Sequence, residues 1–167
     1  MAATGAGDRI VIVGGGPGGY ESALVAAQLG AEVTVVDSDG IGGSAVLTDC
    51  VPSKTLIATA ELMTDVSIAN ELGVMIGEDG VRVDLGRVNR RVLQLAADQS
   101  ADIARRLERE GVRVVQGRGR LDGPGRVAVA VADQDDVIWE ADAVLIATGA
   151  APRTLPSAQP DGERILT

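Results

Sequence analysis

A chain of 167 residues suits one ordinary domain, and its 46% hydrophobic content is enough to build a core. Fifteen basic against 24 acidic residues give a net charge of −9, which argues against phosphate backbones and anionic membranes as partners; Tyr20 and Trp139 as the only aromatics argue against a base-stacking nucleic-acid surface as well. The absence of histidine and the single cysteine, Cys50, exclude an intrachain disulfide framework and argue against a transition-metal site.

The opening MAATGAGDRI has neither the basic nor the apolar stretch of a signal peptide, and no apolar run approaches the ~18 residues of a membrane span. The expectation is a cytoplasmic protein that is not inserted in a membrane. RIVIV, residues 9–13, is a continuous β-branched run ending in glycines, as in a strand buried on both faces. Residues 17–29 read as an Ala- and Leu-rich helix stopped by Gly30, and EVTVVD, residues 32–37, reads as a second buried strand. Strand, helix and strand in so short a span make a right-handed βαβ unit.

A loop over 38–49 precedes a helix from about Pro52 to Asn70, and a glycine-broken connector covers 73–86. Leu85, Val88, Val92, Leu95, Gln99, Ile103 and Leu107 recur at helical spacing and predict a long amphipathic helix ending at Gly111. VRVVQG, residues 112–117, predicts a third buried strand. RVAVAVADQDDVIWEAD alternates around a polar turn, as an antiparallel ribbon does, and AVLIATGA, residues 143–150, predicts a last apolar strand. The tail is proline-rich and without periodicity. The pattern is that of an α/β domain with a central parallel sheet and an antiparallel β excursion.

The first turn carries the clearest motif. Gly14, Gly16 and Gly19 fill G-x-G-x-x-G directly after a strand and before a helix. The first glycine permits the tight turn, the second lets backbone approach a pyrophosphate, and the third allows close helix–strand packing. The following helix start, with Pro17 and Gly18, presents free amides and a positive dipole end to an anion. Asp37 lies at the end of the next strand, placed to hydrogen-bond a ribose diol. Ser38 and Asp39 follow it, with no arginine to receive a 2′-phosphate. These features predict a dinucleotide site, and the motif alone fits NAD and FAD equally.

GGGPGGYESALVAAQLG, GIGGSAVLTDCVPSK, VVQGRG and VLIATGAAPR, in this order and across nearly the whole chain, resemble the pyridine nucleotide–disulfide oxidoreductases, with lipoamide dehydrogenase as the nearest large branch. The resemblance implies a three-layer, Rossmann-like FAD-binding domain. Gly14, Gly16, Pro17, Gly18 and Gly19 would cradle the FAD pyrophosphate, and Asp37 with Ser38 would hold the adenosine ribose. Gly42, Gly43 and Ser44 would line the cofactor's passage toward the loop cysteine. Lys54 would lie beside the isoalloxazine N5, Gly117 beside the adenine, and Ala147, Thr148 and Gly149 close to the flavin. NAD(P)H would be the co-substrate of the complete enzyme.

In disulfide-using members the loop reads G-G-x-C-x-x-x-x-C-x-P-S-K, and its two cysteines form a redox disulfide against the flavin. Here the first position is Ala45 and only Cys50 remains, so no disulfide relay can form. A helix start favours a thiolate at Cys50 and Asp49 opposes it. Two readings stand for Cys50: a charge-transfer neighbour of the flavin with a catalytic part, or a neutral packing residue. The departure at Ala45 resembles the disulfide-lacking branch, the NAD(P)H:quinone reductases, which implies direct reduction of a small-molecule quinone. A lipoamide dehydrogenase-like enzyme is the alternative.

The family continues with a nicotinamide-binding domain and a dimer-interface domain that this sequence does not contain. Residues 1–167 are therefore expected to be the N-terminal part of the FAD-binding domain of a larger homodimeric flavoenzyme. The remaining alternative is a stand-alone nucleotide-binding module without catalysis.

Overall fold

The computed structural model describes residues 7–77, 80–131 and 135–165. Strand β1 (Arg9–Val13) leads through helix α1 (Pro17–Gln28) to β2 (Glu32–Asp37). Helices α2 (Gly43–Leu47) and α3 (Cys50–Ile68), a 3-10 turn (Ala69–Leu72) and α4 (Leu85–Arg109) precede β3 (Arg113–Gln116). Strands β4 (Arg118–Leu121), β5 (Arg126–Ala130) and β6 (Val137–Glu140) then lead to β7 (Ala143–Ile146). Four strands form one sheet in the order β3-β2-β1-β7, all parallel, and β4-β5-β6 form a separate antiparallel sheet.

The period of two along each strand sorts the core into two clusters. Ile12, Val33 and Val35 face the helices, where they meet Ala23 and Leu24 of α1 and Ile103 and Leu107 of α4. Val11, Val13 and Val36 face the other way and pack on Val127 and Val129 of β5 and on Ala141. Three layers result: helices, parallel sheet, antiparallel sheet. Each fully buried aliphatic side chain contributes about 1.5–3 kcal/mol relative to exposure. With a layer on each face, β1 and β2 can be apolar without alternation, as their sequences predict.

The third strand differs from expectation. Since β3 forms one edge of its sheet, Val114 and Val115 are only half-buried, and Arg113 and Gln116 are exposed. The Arg113 guanidinium sits over the Trp139 ring, 5.2 Å from its centroid, and ties this edge to the antiparallel layer. The last strand is shorter than predicted, ending at Ile146; residues 147–150 follow without regular structure, with the Ala147 amide still donating to the Val13 carbonyl at 2.8 Å. The ribbon gains a third strand, β4, that its short RGRL sequence does not announce. Its predicted polar turn falls partly on residues 132–134, outside the described residues.

Helix α4 forms where predicted. Asp84 caps its start by accepting the Arg87 amide at 2.9 Å, and Gly111, at φ +79°, follows its end. Its buried stripe is Val92, Ala96, Ile103 and Leu107, whereas Leu95 and Gln99 are turned outward. Leu85, in the first turn, is 74% exposed. Helix α3 begins two residues earlier than predicted, and the loop over 38–49 holds the short α2. Among the described residues no helix is long and apolar enough to cross a membrane.

Candidate functional site

The parallel strands point their carboxyl ends at one edge of the sheet, and the chain direction reverses there. From β1 the chain moves through β2 to β3 on one side, while β7 lies on the other. Loops that leave β1 and β7 therefore part and open a crevice, the place where open α/β sheets bind ligands. A cleft of about 560 Å³ occupies this position. Of the predicted residues, Gly14, Gly16, Pro17, Gly18, Asp37, Gly43, Ser44, Ala147, Thr148 and Gly149 line it together.

The glycines of the first turn do different work. Gly14 has φ +109°, and a Cβ there would lie 2.2 Å from the Ala147 carbonyl oxygen. A Cβ on Gly19 would lie 1.8 Å from the Gly14 carbonyl oxygen, so this glycine sets the approach of α1 to β1. Gly19 is accordingly buried and outside the cleft. A Cβ on Gly16 would meet nothing nearer than the Gly43 Cα at 3.9 Å. Nothing in the protein needs glycine at that position, and its open side belongs to the cleft.

Gly16 is the N-cap of α1, with Pro17 in the first turn. The amides of Gly19 and Tyr20 return to the Gly16 carbonyl at 2.9 Å each, and Pro17 has no amide. The amides of Gly16 and Gly18 have no acceptor among the described residues. They are left at the positive end of a 12-residue helix. The charged side chains lining the cleft are Asp37 and Asp39, so an anion there would be met by backbone dipoles and not by a cation.

Asp37 is more occupied than its sequence position suggests. Its Oδ2 accepts the Gly15 amide at 2.6 Å, and its Oδ1 accepts the amides of Asp39 and Gly40 at 2.8 Å each. A carboxylate offers about four lone-pair sites, so three are used by the protein and about one is free for a hydroxyl. Asp37 is thus both a wall of the cleft and the keystone of the loop around it.

Other predicted residues stand outside the cleft. Ser38 is exposed, its hydroxyl donating to Asp39 Oδ1 at 3.2 Å. Gly42 has φ +108° and lies against Val46, where a Cβ would come within 2.5 Å of the valine Cβ. Gly117 donates its amide to the Asp37 carbonyl at 2.9 Å, and a Cβ there would lie 2.7 Å from the Ala130 carbonyl oxygen. Its glycine is therefore accounted for by the junction of β3 with the antiparallel sheet. Cys50 and Lys54 sit one turn apart at the start of α3, both exposed and neither lining the cleft. Cys50 is a free thiol.

Sequence reasoning did not single out Asp39, Leu47, Thr48 or Ala150, which also line the cleft. Leu47 and Thr48 belong to the end of α2, whose five residues carry no periodic signal; Ala150 simply continues the Ala147–Gly149 segment.

Residues 8–165 match the sequence profile of the pyridine nucleotide-disulphide oxidoreductases. The chain belongs to this family. It is 55% identical to the NAD(P)H dehydrogenase (quinone) of Mycobacterium tuberculosis, over 95% of this chain and 34% of that protein. It is 34% identical to the dihydrolipoyl dehydrogenase of Chlorobaculum parvum, over 95% of this chain and 33% of that protein. The crystal structure of LpdA from Mycobacterium tuberculosis superposes with a TM-score of 0.84 at 52% identity, covering 95% of this chain and 35% of that one. The chain thus spans about a third of the length of the relatives it matches. The α/β architecture predicted from the sequence is the one LpdA shares with it.

Proposed function

We propose that this chain is the N-terminal part of the FAD-binding domain of an NAD(P)H-dependent flavoprotein oxidoreductase that reduces a quinone. The observation that carries the reading is the cleft between β1 and β7, where the open side of Gly16 and the unpaired amides of Gly16 and Gly18 lie near Asp37. The donors fit a dinucleotide: amides at a helix start for the pyrophosphate, a carboxylate lone pair for a ribose hydroxyl, and small residues at Ala147–Gly149 for a flat ring. Bound there, FAD would supply the redox chemistry that links NAD(P)H to an acceptor. The protein's own part is to hold the pyrophosphate on backbone dipoles and to fix the ribose at Asp37.

The acceptor class rests on Ala45. Helix α2 carries Ala45 where disulfide-using relatives carry their first cysteine, and Cys50 is free. A single sulfur cannot form the dithiol relay, so an acceptor that needs no thiol, such as a quinone, fits the site. The name of the 55% identical relative supports this choice over the dihydrolipoyl dehydrogenases at 34%. In the complete chain the same reading implies a homodimer in the cytoplasm, a compartment in which an exposed thiol stays reduced. The full-length protein should purify with the visible absorbance of bound flavin and reduce quinones with NAD(P)H, with negligible turnover of lipoamide. A colourless protein, or one that prefers lipoamide, would overturn the proposal.

A further inference from the structure

Ser100 is a helical serine whose hydroxyl leaves its own helix. Ser22, Thr55, Thr59 and Thr64 each bond back to the carbonyl four residues earlier, as helical hydroxyls commonly do. Ser100 instead donates to the carbonyl of Ile41 at 2.6 Å, across 59 residues of sequence. The hydroxyl is part-buried, and α4 reaches no other residue of the loop over 38–42 by a side-chain hydrogen bond among the described residues.

Three successive residues of that loop are fastened to three different elements. Gly40 donates its amide to Asp37 at the end of β2, and Ile41 accepts from Ser100 on α4. Gly42 donates to the Gly15 carbonyl, in the turn after β1, at 2.8 Å. The Ile41 side chain is buried in the core beneath this turn. Gly43 then lies against Gly16, so closely that a Cβ on Gly43 would come within 2.8 Å of the Gly16 Cα. Walls of the cleft at Asp37, Gly16 and Gly43 are thus held in one arrangement by a loop whose middle is pinned from outside the cleft.

We infer that Ser100 is a positioning residue for the dinucleotide cleft: it fixes the Ile41 carbonyl and, through it, the loop that carries Gly43 against Gly16, beside the direct bond from the Gly15 amide to Asp37. This rests on the reading of the cleft as a dinucleotide site. Without the hydroxyl the Ile41 carbonyl loses its partner, and the loop relaxes in the ligand-free protein. Binding must then reorder it, so the cost falls on affinity.

The test uses the full-length protein, stripped of FAD, as wild type, Ser100→Ala and Ser100→Thr. The FAD dissociation constant is measured by flavin fluorescence quenching, and the melting temperature of each apoprotein is measured alongside. Ser100→Ala should weaken FAD binding about 5- to 10-fold, the cost of reordering the relaxed loop on binding. Its apoprotein should melt close to wild type, and Ser100→Thr, which keeps the hydroxyl, should recover most of the affinity. Wild-type affinity in Ser100→Ala would overturn the inference. So would a Ser100→Thr protein as weak as Ser100→Ala, or an affinity loss accompanied by an equally large fall in apoprotein melting. A wild-type protein that binds no FAD would instead bring down the reading of the cleft, and this inference with it.

Discussion

The amide of Gly15 donates to Oδ2 of Asp37 at 2.6 Å, joining the turn after β1 to the end of β2 across 22 residues of sequence. The other carboxylate oxygen holds the amides of Asp39 and Gly40, so one side chain organises the turns on both sides of the cleft. Asp37→Ala removes three charge-assisted bonds together with the predicted ribose contact. Unfolding free energy should fall by at least about 1.5–3 kcal/mol, and FAD affinity by tenfold or more. Asp37→Asn should recover only part of either. Its oxygen can still serve Asp39 and Gly40, but its amide nitrogen then faces the Gly15 N–H, donor against donor. Urea unfolding and an FAD titration on the same preparations check both numbers. An unchanged dissociation constant in Asp37→Ala would remove this residue from the ligand site.

Two glycines of one motif should fail in opposite ways. Gly16→Val places its Cβ where the nearest atom is the Gly43 Cα at 3.9 Å, and the backbone at φ −68° and ψ −177° suits a β-branched residue. The variant should fold, losing no more than about 1 kcal/mol from the poorer N-cap, and retain no flavin. Gly19→Ala drives a methyl to within 1.8 Å of the Gly14 carbonyl oxygen. It should cost about 1–3 kcal/mol as overpacking, before any ligand is considered. Thermal unfolding of the two variants separates them, and stoichiometric FAD on Gly16→Val would mean the pyrophosphate is held elsewhere.

Helix α4 should be most sensitive along the stripe that meets the sheet. Leu107 is fully buried and Leu95 is 37% exposed, although the spacing of apolar residues puts them on one face. Leu107→Ala should destabilise by about 2–5 kcal/mol, whereas Leu95→Ala should cost well under half of that. Equal losses in denaturant unfolding would show that the stripe runs as the sequence periodicity draws it.

These contrasts mark what the sequence reveals and what it hides. Val11–Val13 and Val33–Val36 were legible because two covering layers bury every position of these runs, so that all but Thr34 are apolar. Val114 and Val115 look the same on paper, yet edge placement leaves them half-buried, since strand order is a long-range property. The glycine turn was legible because Gly14 and Gly19 each answer a local steric demand, while Gly16 keeps its open side to the cleft. Asp37's three amide partners, the Ile41–Ser100 bond and α2 depend on the path of the loop over 38–49, where Gly40, Gly42 and Gly43 all have positive φ and no periodic pattern survives. Gly117 shows the reverse case, a motif glycine whose packing against Ala130 and Val129 is sufficient reason for it.

Asp161 makes a pH prediction. Its Oδ1 accepts the amides of Glu163, Arg164 and Ile165 at 2.8–2.9 Å, and these bonds hold its carboxyl down at about 2, from an ordinary value of 3.8. A depressed carboxyl contributes order that is present above the ordinary value and disappears as pH falls through the lowered one. The turn at 161–165 should therefore persist at pH 4 and open progressively between about 4 and 2. Backbone amide NMR shifts of residues 163–165, followed through that range, should move together, and Asp161→Ala should show the open-turn shifts already at pH 7. Shifts that move near pH 4 in the wild type would mean that the three amides do not hold the carboxylate.

The strongest division between the two enzyme readings falls on Cys50. The residue begins α3, exposed, with Asp49 before it and no place in the lining of the cleft. Ala45 removes the partner that a disulfide relay would require. Cys50→Ser should therefore keep most NAD(P)H:quinone activity in the full-length enzyme, and alkylation of the wild-type thiol should slow turnover by little more than bulk. Ala45→Cys alone should not create efficient lipoamide reduction: Ala45 lies in α2 and position 50 opens α3, with Thr48 and Asp49 between the two helices, so the sulfurs need a geometry this loop was not shaped to give. A thiol-dependent reaction predicts the reverse, with Cys50→Ser inactive toward every acceptor. Loss of quinone reduction in the serine variant, with FAD bound at wild-type stoichiometry, would falsify the thiol-independent reading and return Cys50 to the reaction.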